Sequence, residues 1–226
     1  MRVVAIDGPA GSGKSTTARA VADRLGFAHL DSGALYRAMT LAAIDNEVPL
    51  DAQRLVALAR ALPVRLSLVG NEFRPEVAGT DVSESVRRSD VTARVSAVSA
   101  LPQVRDLVNG LLRAAAAEHP QGVVVDGRDI GTVVFPEAPV KIFLTATPEA
   151  RARRRLTQEG RALDVKTLQA ETERLAHRDA ADARRAVAPL RAAPDAVVLD
   201  TTNLTFDQQV DRIAEQARNV FGDGSV

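Results

Sequence analysis

The chain has 226 residues, 46% of them hydrophobic, and its 29 Lys and Arg residues balance 29 Asp and Glu residues. Zero formal charge gives no long-range attraction to nucleic acid or to an acidic membrane. Cysteine is absent, which excludes disulfides, a cysteine-based zinc site and a thiol nucleophile. Because no apolar run approaches ~18 residues and a strand pattern starts at once, we expect a cytoplasmic protein without a membrane span or signal peptide.

The chain opens with a strand, a glycine-rich turn and a helix. Val3–Asp7 has the composition of a buried strand, and residues 15–25 have a helical pattern. Residues 8–15 match G-x-x-x-x-G-K-[ST], the phosphate-binding P-loop. The backbone N–H groups of such a turn attract a polyphosphate, with Lys14 expected on the β and γ phosphates and the Ser15 hydroxyl on magnesium. The predicted ATP-binding residues are Gly8, Pro9, Ala10, Gly11, Ser12, Gly13, Lys14, Ser15 and Thr16.

A second strand and an inserted hairpin are predicted next. The strand, residues 27–30, leads into the polar segment 31–37, and ligands of open α/β sheets bind where strands end. Residues 63–68 alternate with period two, and Gly70-Asn71 separates them from Glu72–Val77, which predicts an antiparallel hairpin. The hairpin is either a surface elaboration or part of a substrate-binding region, and both interpretations stay open.

Three further strands are predicted at residues 123–126, Val140–Thr145 and residues 196–200. The first ends in an aspartate, as a Walker B element does, so Asp126 is a candidate to orient magnesium through a water molecule. Buried strands that alternate with helices predict a doubly wound parallel sheet. Two helices are marked by apolar faces: Val104, Leu107, Val108, Leu111, Leu112 and Ala115, and then Phe206, Val210, Ile213, Ala214, Ala217 and Phe221.

Residues 151–188 are densely charged and rich in arginine, with a helical pattern interrupted by Gly160. The segment is either a solvated helical face or a mobile lid over bound phosphates. Within one helix, Arg178, Asp182 and Arg185 would share a face, because they lie four and three residues apart.

A P-loop indicates a nucleotide and magnesium but does not define a reaction. The chain has no Asn-Lys pair, which argues against a guanine-specific GTPase, and it is short for a motor or an oligomeric ATPase. A kinase for a small acceptor is therefore the leading class. A kinase for another acceptor, such as shikimate or dephospho-coenzyme A, is one alternative, and a nucleotide-dependent switch or binding module is another.

Long segments of the chain resemble the cytidylate kinase family of the bacterial type. The resemblance runs nearly end to end and is far more specific than a P-loop alone. It implies that ATP phosphorylates CMP and dCMP with the help of magnesium, and that the partners are these small molecules, with no nucleic acid or membrane. The segments that carry the resemblance are residues 6–9, 30–37, 126–136, 140–144 and 185–190.

The resemblance also implies a fold class: α/β, a three-layer P-loop NTPase fold with a five-stranded parallel sheet, a small NMP-binding insertion with antiparallel strands, and a helical lid. Residues 1–226 would form a single domain and a monomer. The tail, residues 222–226, is expected to fray. The implied parts are a core of residues 1–35, 120–150 and 190–226, an NMP-binding part of about 36–119 and a lid of about 151–189.

Matching residues take their roles from the resemblance. Those implied to position the CMP phosphate are Ser32, Tyr36, Arg37 and Arg128. Those implied to contact cytosine are Ser96, Arg105 and Asp129, and those for the ribose hydroxyls are Arg178 and Asp182. Arg185 would contact phosphate, and Arg154 or Arg155 would reach from the lid to the transferred group. The implied catalytic cations are therefore Lys14, Arg128, Arg154, Arg155 and Arg185.

One position departs from the family pattern. Gln103 stands where the family often has a basic residue, two positions before Arg105. The departure puts only an accessory charge in doubt.

Overall fold

The computed structural model describes residues 1–222. The chain divides into two compact units: the first comprises Gly26–Val123 with Met1, and the second comprises Arg2–Leu25 and the residues from Val124 onward. The predicted boundaries of core, NMP-binding part and lid stay predictions. The fraying expected for residues 222–226 falls, except at Gly222, outside the described part. Among the described residues, no helix combines the length and the apolar character needed to cross a membrane.

Both units are built from short strands and helices. The strands are β1 Val3–Asp7, β2 Ala28–Asp31, β3 Val64–Val69, β4 Glu72–Val77, β5 Thr80–Asp81, β6 Val123–Gly127, β7 Val140–Thr145 and β8 Val197–Asp200. The helices are α1 Lys14–Leu25, α2 Ser32–Asp45, α3 Ala52–Ala61, α4 Ser89–Val98, α5 Pro102–Ala117, α6 Pro148–Gln158, α7 Val165–Ala183 and α8 Phe206–Phe221. Short helical turns lie at Ser85–Arg87 and Ile130–Val134.

The predicted strands are all present. β1 and β7 have the predicted limits, β6 and β8 differ from theirs by one residue at one end, and β2 is shifted by one residue at both ends. In the second unit the strands run in the order β6-β1-β7-β8, and β1 pairs in parallel with β7, as β7 does with β8. The mixed α/β fold with a mainly parallel sheet is confirmed, whereas the count of five parallel strands in one sheet stays a prediction.

The first unit contains the predicted hairpin. β3 and β4 pair antiparallel, from Val64 opposite Val77 to Val69 opposite Glu72. Gly70 takes a left-handed φ of +62° in the turn between them. β4 also pairs in parallel with β2, and the two-residue β5 pairs with β4, which the sequence did not predict. The insertion is thus joined to the strand that precedes α2.

The predicted apolar faces of α5 and α8 are largely buried. Val104 and Leu112 of α5 are completely buried, and Val210 and Ile213 of α8 are nearly so. Phe206, the first residue of the predicted face of α8, is instead 44% exposed. It is the first residue of the helix and directly follows the capping residue Thr205, whose hydroxyl accepts the N–H of Gln208 at 3.2 Å.

The arginine-rich segment forms two helices, α6 and α7, that pack against each other. Gly160, with φ of +63°, lies in the connection between them. Asp164 caps α7, because its carboxylate accepts the backbone N–H of Thr167 at 3.0 Å. The helical prediction for residues 151–188 is confirmed except in the connection of residues 159–164 and from residue 184 onward.

The end of α7 corrects one prediction. α7 ends at Ala183, so Arg185 lies beyond the helix and shares no helical face with the two residues predicted beside it, Arg178 and Asp182. In a longer helix the carbonyl oxygen of Asp182 would accept the N–H of residue 186, but it accepts the N–H of Leu190 at 3.0 Å, so the chain leaves the helix after Arg184. Asp182 and Arg185 still form an ion pair across this turn.

Candidate nucleotide-binding site

The turn between β1 and α1 has a backbone that requires glycine. Gly8 has φ of +150°, and a Cβ atom on it would lie 2.0 Å from the carbonyl oxygen of Leu144 in β7. Gly13, which immediately precedes α1, has a left-handed φ of +88°. The first turn of a helix leaves N–H groups without helical partners, so this end of α1 is suited to an anion such as a polyphosphate.

Lys14 lies inside this turn and is 6% exposed. Its Nζ donates to the carbonyl oxygen of Pro9 at 2.7 Å and to Ser12 Oγ at 3.3 Å. Burial, followed by the charge of Arg128, lowers the pKa of Lys14 well below its usual value, while Asp126 acts in the opposite direction. An anionic ligand in the turn would favour the charged form of Lys14, so polyphosphate binding and protonation of Lys14 support each other.

Ser15 and Asp126 meet at the carboxyl end of β6. The Ser15 hydroxyl donates to Asp126 Oδ2 at 2.6 Å, and Asp126 is 2% exposed. A hydroxyl and a carboxylate are oxygen ligands of the kind that magnesium takes together with water and phosphate oxygens. The described residues contain no group of three or more His, Asp or Glu side chains that would bind a metal by themselves. The Ser15 hydroxyl and the Asp126 carboxylate thus fit two of the oxygen ligands of a magnesium ion.

Two of the predicted acceptor residues of the second unit, Arg128 and Arg185, form ion pairs with a third, Asp182. Arg128 Nε donates to one carboxylate oxygen of Asp182 at 3.0 Å, and Arg185 donates to the other. Asp182 is 1% exposed, so two guanidinium groups balance a buried carboxylate. Arg178 lies close enough to Lys14 to lower the pKa of its ammonium. Asp129, directly after Arg128, is also buried.

Predicted acceptor residues of the first unit form a second group. Arg105 is buried, donates to the carbonyl oxygen of Ser99 at 2.9 Å, and has its guanidinium carbon 5.4 Å from the centre of the Tyr36 ring. The Ser99 hydroxyl donates to the carbonyl oxygen of Ser96 at 3.2 Å. Tyr36 lies one turn after Ser32 on α2. Arg105 thus contacts Tyr36 directly and is linked through Ser99 to the backbone of Ser96. The sequence did not single out Ser99.

Arg37 and the start of α2 are held by neighbours within the same unit. Arg37 donates to Thr92 Oγ1 at 2.9 Å and to the carbonyl oxygen of Val86 at 3.1 Å. Asp31 caps α2 by accepting the N–H of Gly33 at 2.8 Å. The segment predicted at the end of β2 is therefore the first turns of a helix.

The two lid arginines predicted to reach the transferred group have protein partners. Arg154 donates to the hydroxyl and the carbonyl oxygen of Thr201 at 2.9 and 2.6 Å. Burial lowers the pKa of Arg154. Arg155 pairs with Glu159 at 2.5 Å. Their role toward a phosphoryl group stays a prediction.

Arg151 and Asp179 contact the P-loop directly, and the sequence did not identify either. Arg151 donates to the carbonyl oxygen of Ala10 at 2.8 Å and pairs with Asp179, whose other oxygen accepts the N–H of Ala10 at 2.9 Å. Arg151 is 6% exposed. Nothing in the sequence separates Arg151 from the other arginines of α6, because tertiary packing decides which of them is buried.

A P-loop with a buried lysine and a Ser–Asp pair defines a P-loop nucleotide-binding protein, and the nearby arginines suit further phosphate groups. The crystal structure of TT1252 from Thermus thermophilus has the same fold, with a TM-score of 0.51 and 20% identity over 99% of this chain and 98% of that one. At that identity the likeness concerns the fold alone.

Comparisons of sequence give the family. The model of the cytidylate kinase family matches residues 4–219. Cytidylate kinase of Streptomyces griseus subsp. griseus is 48% identical over 92% of this chain and 89% of its own length. Cytidylate kinase of Mycobacterium avium is 47% identical over 96% and 95%. The chain belongs to the cytidylate kinase family and is accordingly a kinase, which confirms the resemblance and argues against a switch or binding module.

Proposed function

We propose that the protein transfers the γ-phosphoryl group of ATP to CMP and dCMP, with magnesium bound to ATP, as a step of pyrimidine nucleotide metabolism. We further propose that it acts as a monomer in the cytoplasm, with small-molecule partners only. The observation that carries the proposal is a group of arginines close to the P-loop lysine: Arg128, which Asp182 holds together with Arg185, and Arg178 both act on the charge of Lys14, although the carboxylates of Asp126 and Asp7 oppose them. Several cations around a P-loop lysine suit an acceptor that is itself a phosphate.

The donor half of the proposed site is the P-loop. Residues 8–16 would surround the ATP phosphates, with their backbone N–H groups as donors except at Pro9, which has none, and Ala10, whose N–H bonds Asp179. Lys14 would contact the β and γ phosphates. The Ser15 hydroxyl would bind magnesium, with Asp126 orienting it through water; the 2.6 Å contact between these two side chains supports that pairing. Magnesium, when bound, would supply positive charge to the phosphate oxygens.

The acceptor half of the proposal rests on two groups of residues, one in each unit. For the phosphate of CMP we propose Arg128 and Arg185 in the second unit, where Asp182 holds both guanidinium groups. In the first unit we propose Ser32, Tyr36 and Arg37 for the same phosphate. The ribose would be held by Arg178 and Asp182.

The base would be selected by hydrogen bonding. The pairing edge of cytosine has an amino donor and two acceptors, so the Asp129 carboxylate would accept from the amino group and the Arg105 guanidinium would donate to the acceptors. Ser96 would add a further contact. Uracil has a carbonyl where cytosine has the amino group, and that carbonyl would face the Asp129 carboxylate. A site whose buried polar groups lose their partners rejects such an analogue strongly.

The acceptor is already an anion at neutral pH, so the reaction needs no strong general base. Catalysis would consist of aligning the two phosphates and stabilising the charge that spreads over the transferred group. The cations proposed for this are Lys14, Arg128, Arg185 and either Arg154 or Arg155. Closure of α6 and α7 over the phosphates would exclude water, which would otherwise hydrolyse ATP.

A coupled assay of ADP formation tests the proposal. Purified protein with ATP and magnesium is given a panel of acceptors: CMP, dCMP, UMP, AMP, GMP, shikimate and dephospho-coenzyme A. The proposal predicts rapid ADP formation with CMP and dCMP only. Rapid turnover with shikimate or dephospho-coenzyme A instead would support a kinase of another specificity. Slow ADP formation that no acceptor accelerates would overturn the proposal.

A further inference from the structure

The loop after β6 carries two of the proposed acceptor residues. Arg128 and Asp129 come directly before the turn Ile130–Val134, so the path of the backbone in that turn determines the positions of both Cα atoms. Two side chains from other strands, Asp7 at the end of β1 and Lys141 in β7, bond to the backbone of this loop. Neither has a role in the donor or acceptor halves described above.

Asp7 holds the beginning of the loop. Its Oδ1 accepts the N–H of Ile130 at 2.8 Å, and its Oδ2 accepts the N–H of Gly131 at 2.8 Å. Asp7 is 4% exposed, and burial raises its pKa to about 6 in spite of the two N–H bonds. Burying a carboxylate costs stability, and an apolar residue at the end of a buried strand would avoid that cost. What the carboxylate provides is a pair of acceptors for two adjacent loop N–H groups.

Lys141 holds the end of the loop. Its Nζ donates to the carbonyl oxygen of Pro136 and pairs with Asp195 at 2.8 Å. Its stem packs under Gly131, where an added Cβ would lie 3.2 Å from Lys141 Cγ and Cδ and 3.5 Å from Asp7 Oδ2. The loop therefore lies directly on both side chains, and a shift of either one would move its backbone.

We propose that Asp7 and Lys141 are positioning residues for the acceptor: they fix the loop of residues 128–136 so that Arg128 and Asp129 meet CMP. The inference rests on the proposed function for the roles of Arg128 and Asp129. Asp7 and Lys141 act through the loop and touch no substrate. Their loss should therefore weaken the use of CMP much more than the use of ATP.

The first test compares Asp7→Asn with Asp23→Asn, a matched change at an exposed position of α1. In Asp7→Asn an NH2 group faces one of the two loop N–H groups, so one hydrogen bond is replaced by a contact between donors. We expect the KM for CMP to rise by about 10–100-fold, as for a misplaced substrate contact, with the KM for ATP within about twofold. Asp23→Asn should change neither constant.

Two further variants separate positioning from general damage. Lys141→Met keeps the packing of the stem but removes the bond to Pro136, so its KM for CMP should rise in the same direction. Arg128→Ala is combined with Asp7→Asn in a double-mutant cycle. If Asp7 acts through the loop, the effect of Asp7→Asn on the KM for CMP shrinks in the Arg128→Ala background. Equal effects in both backgrounds, or an equal rise in KM for ATP and CMP, would overturn the inference.

Hydrogen exchange gives a readout that needs no activity. The amide hydrogens of Ile130 and Gly131 should exchange faster in Asp7→Asn than in wild type or Asp23→Asn, and unchanged exchange would overturn the inference. If wild type does not phosphorylate CMP, the proposed function fails, and the inference that Asp7 fixes the loop is judged by this exchange alone. If Asp7→Asn does not fold, the same kinetic and exchange measurements on Lys141→Met decide.

Discussion

At the scale of single residues, Lys14 has the clearest expected effect. Its Nζ bonds Pro9 and Ser12, and burial, followed by the charge of Arg128, lowers the pKa of its ammonium. A buried ammonium with a lowered pKa suits contact with a polyphosphate better than a packing role. Lys14→Ala should lower kcat by about 10²–10³-fold or more, because a cation aimed at the transferred group is lost. Circular dichroism should show an intact fold. A kcat within a few-fold of wild type would show that Lys14 has another role, and Lys166→Ala, at an exposed position of α7, is the matched control.

Arg128 tests the importance of the guanidinium fork. Arg128→Lys keeps the charge but cannot bond Asp182 and a phosphate with a planar set of donors. We expect kcat/KM for CMP to fall by about 10–100-fold, the loss of one charge-assisted hydrogen bond. Steady-state kinetics measure it, with Arg153→Lys at an exposed position of α6 as the control. Undiminished kcat/KM would count against contact between Arg128 and the phosphate.

Asp7 should leave a signature in the pH dependence of stability. Burial raises its pKa from 3.8 to about 6, with the charge of Asp129 adding to the rise and that of Lys14 opposing it. The folded state then binds the proton more tightly than the unfolded state. The stability contributed by Asp7 is full below pH 3.8 and is lost as the pH rises through about 6.

Urea unfolding of wild type and Asp7→Asn across this range measures the effect. The free energy of unfolding of wild type, relative to the variant, should fall by roughly 2 kcal/mol between pH 4 and pH 7. Exposed carboxylates contribute equally to both proteins and cancel. Parallel pH profiles, or a wild type that gains on the variant as the pH rises, would contradict the assignment.

At the scale of elements, the sequence predicts the strands whose limits depend on local composition, but not the contacts that depend on tertiary packing. The limits of β1 and β7 agree with the prediction to the residue, because a nearly continuous apolar run needs burial on both faces. The parallel contact between β4 and β2 was not predictable, since only two residue pairs form it. In α6, Arg151 is buried against the P-loop whereas Arg155 pairs with Glu159, although both are arginines four residues apart. Tertiary packing makes that difference.

The site shows the same limit. The P-loop is recognisable because its backbone needs glycines at fixed positions. Ser15 and Asp126 are recognisable because a magnesium site needs oxygen ligands at the start of the helix and at the end of the strand. Ser99 contributes a backbone carbonyl to Arg105, which any residue type could supply. The spacing predicts a shared helical face for Arg185, but α7 ends at Ala183 and the carbonyl oxygen of Asp182 bonds the N–H of Leu190, a contact that spacing does not reveal.

The helices α6 and α7 should respond to ligands as one element. Arg151 and Asp179 attach them to Ala10 of the P-loop, so phosphates bound there should change their stability. A bisubstrate analogue that links ATP to CMP should slow hydrogen exchange in residues 151–188, while α3 serves as the internal reference. Exchange in residues 151–188 that the analogue leaves unchanged would argue against a lid.

At the scale of the whole molecule, the formal net charge is zero, so the selection of a nucleotide depends on the charged groups of the site itself. The donor residues all belong to the second unit, and the proposed acceptor residues are distributed over both. A nucleoside monophosphate kinase must bind two anionic nucleotides, and arginines held by buried carboxylates or carbonyls provide fixed positive charge for that purpose. Membership of the cytidylate kinase family across residues 4–219 makes cytosine the expected base.

The most direct test is the kcat/KM of the purified protein for CMP, dCMP and UMP, with ATP and magnesium and with CDP, dCDP and UDP measured as products. The account predicts one diphosphate per ADP, efficient use of CMP and dCMP, and a kcat/KM for UMP lower by about 100-fold or more. Equal kcat/KM for UMP and CMP, or ADP formed without CDP, would contradict it.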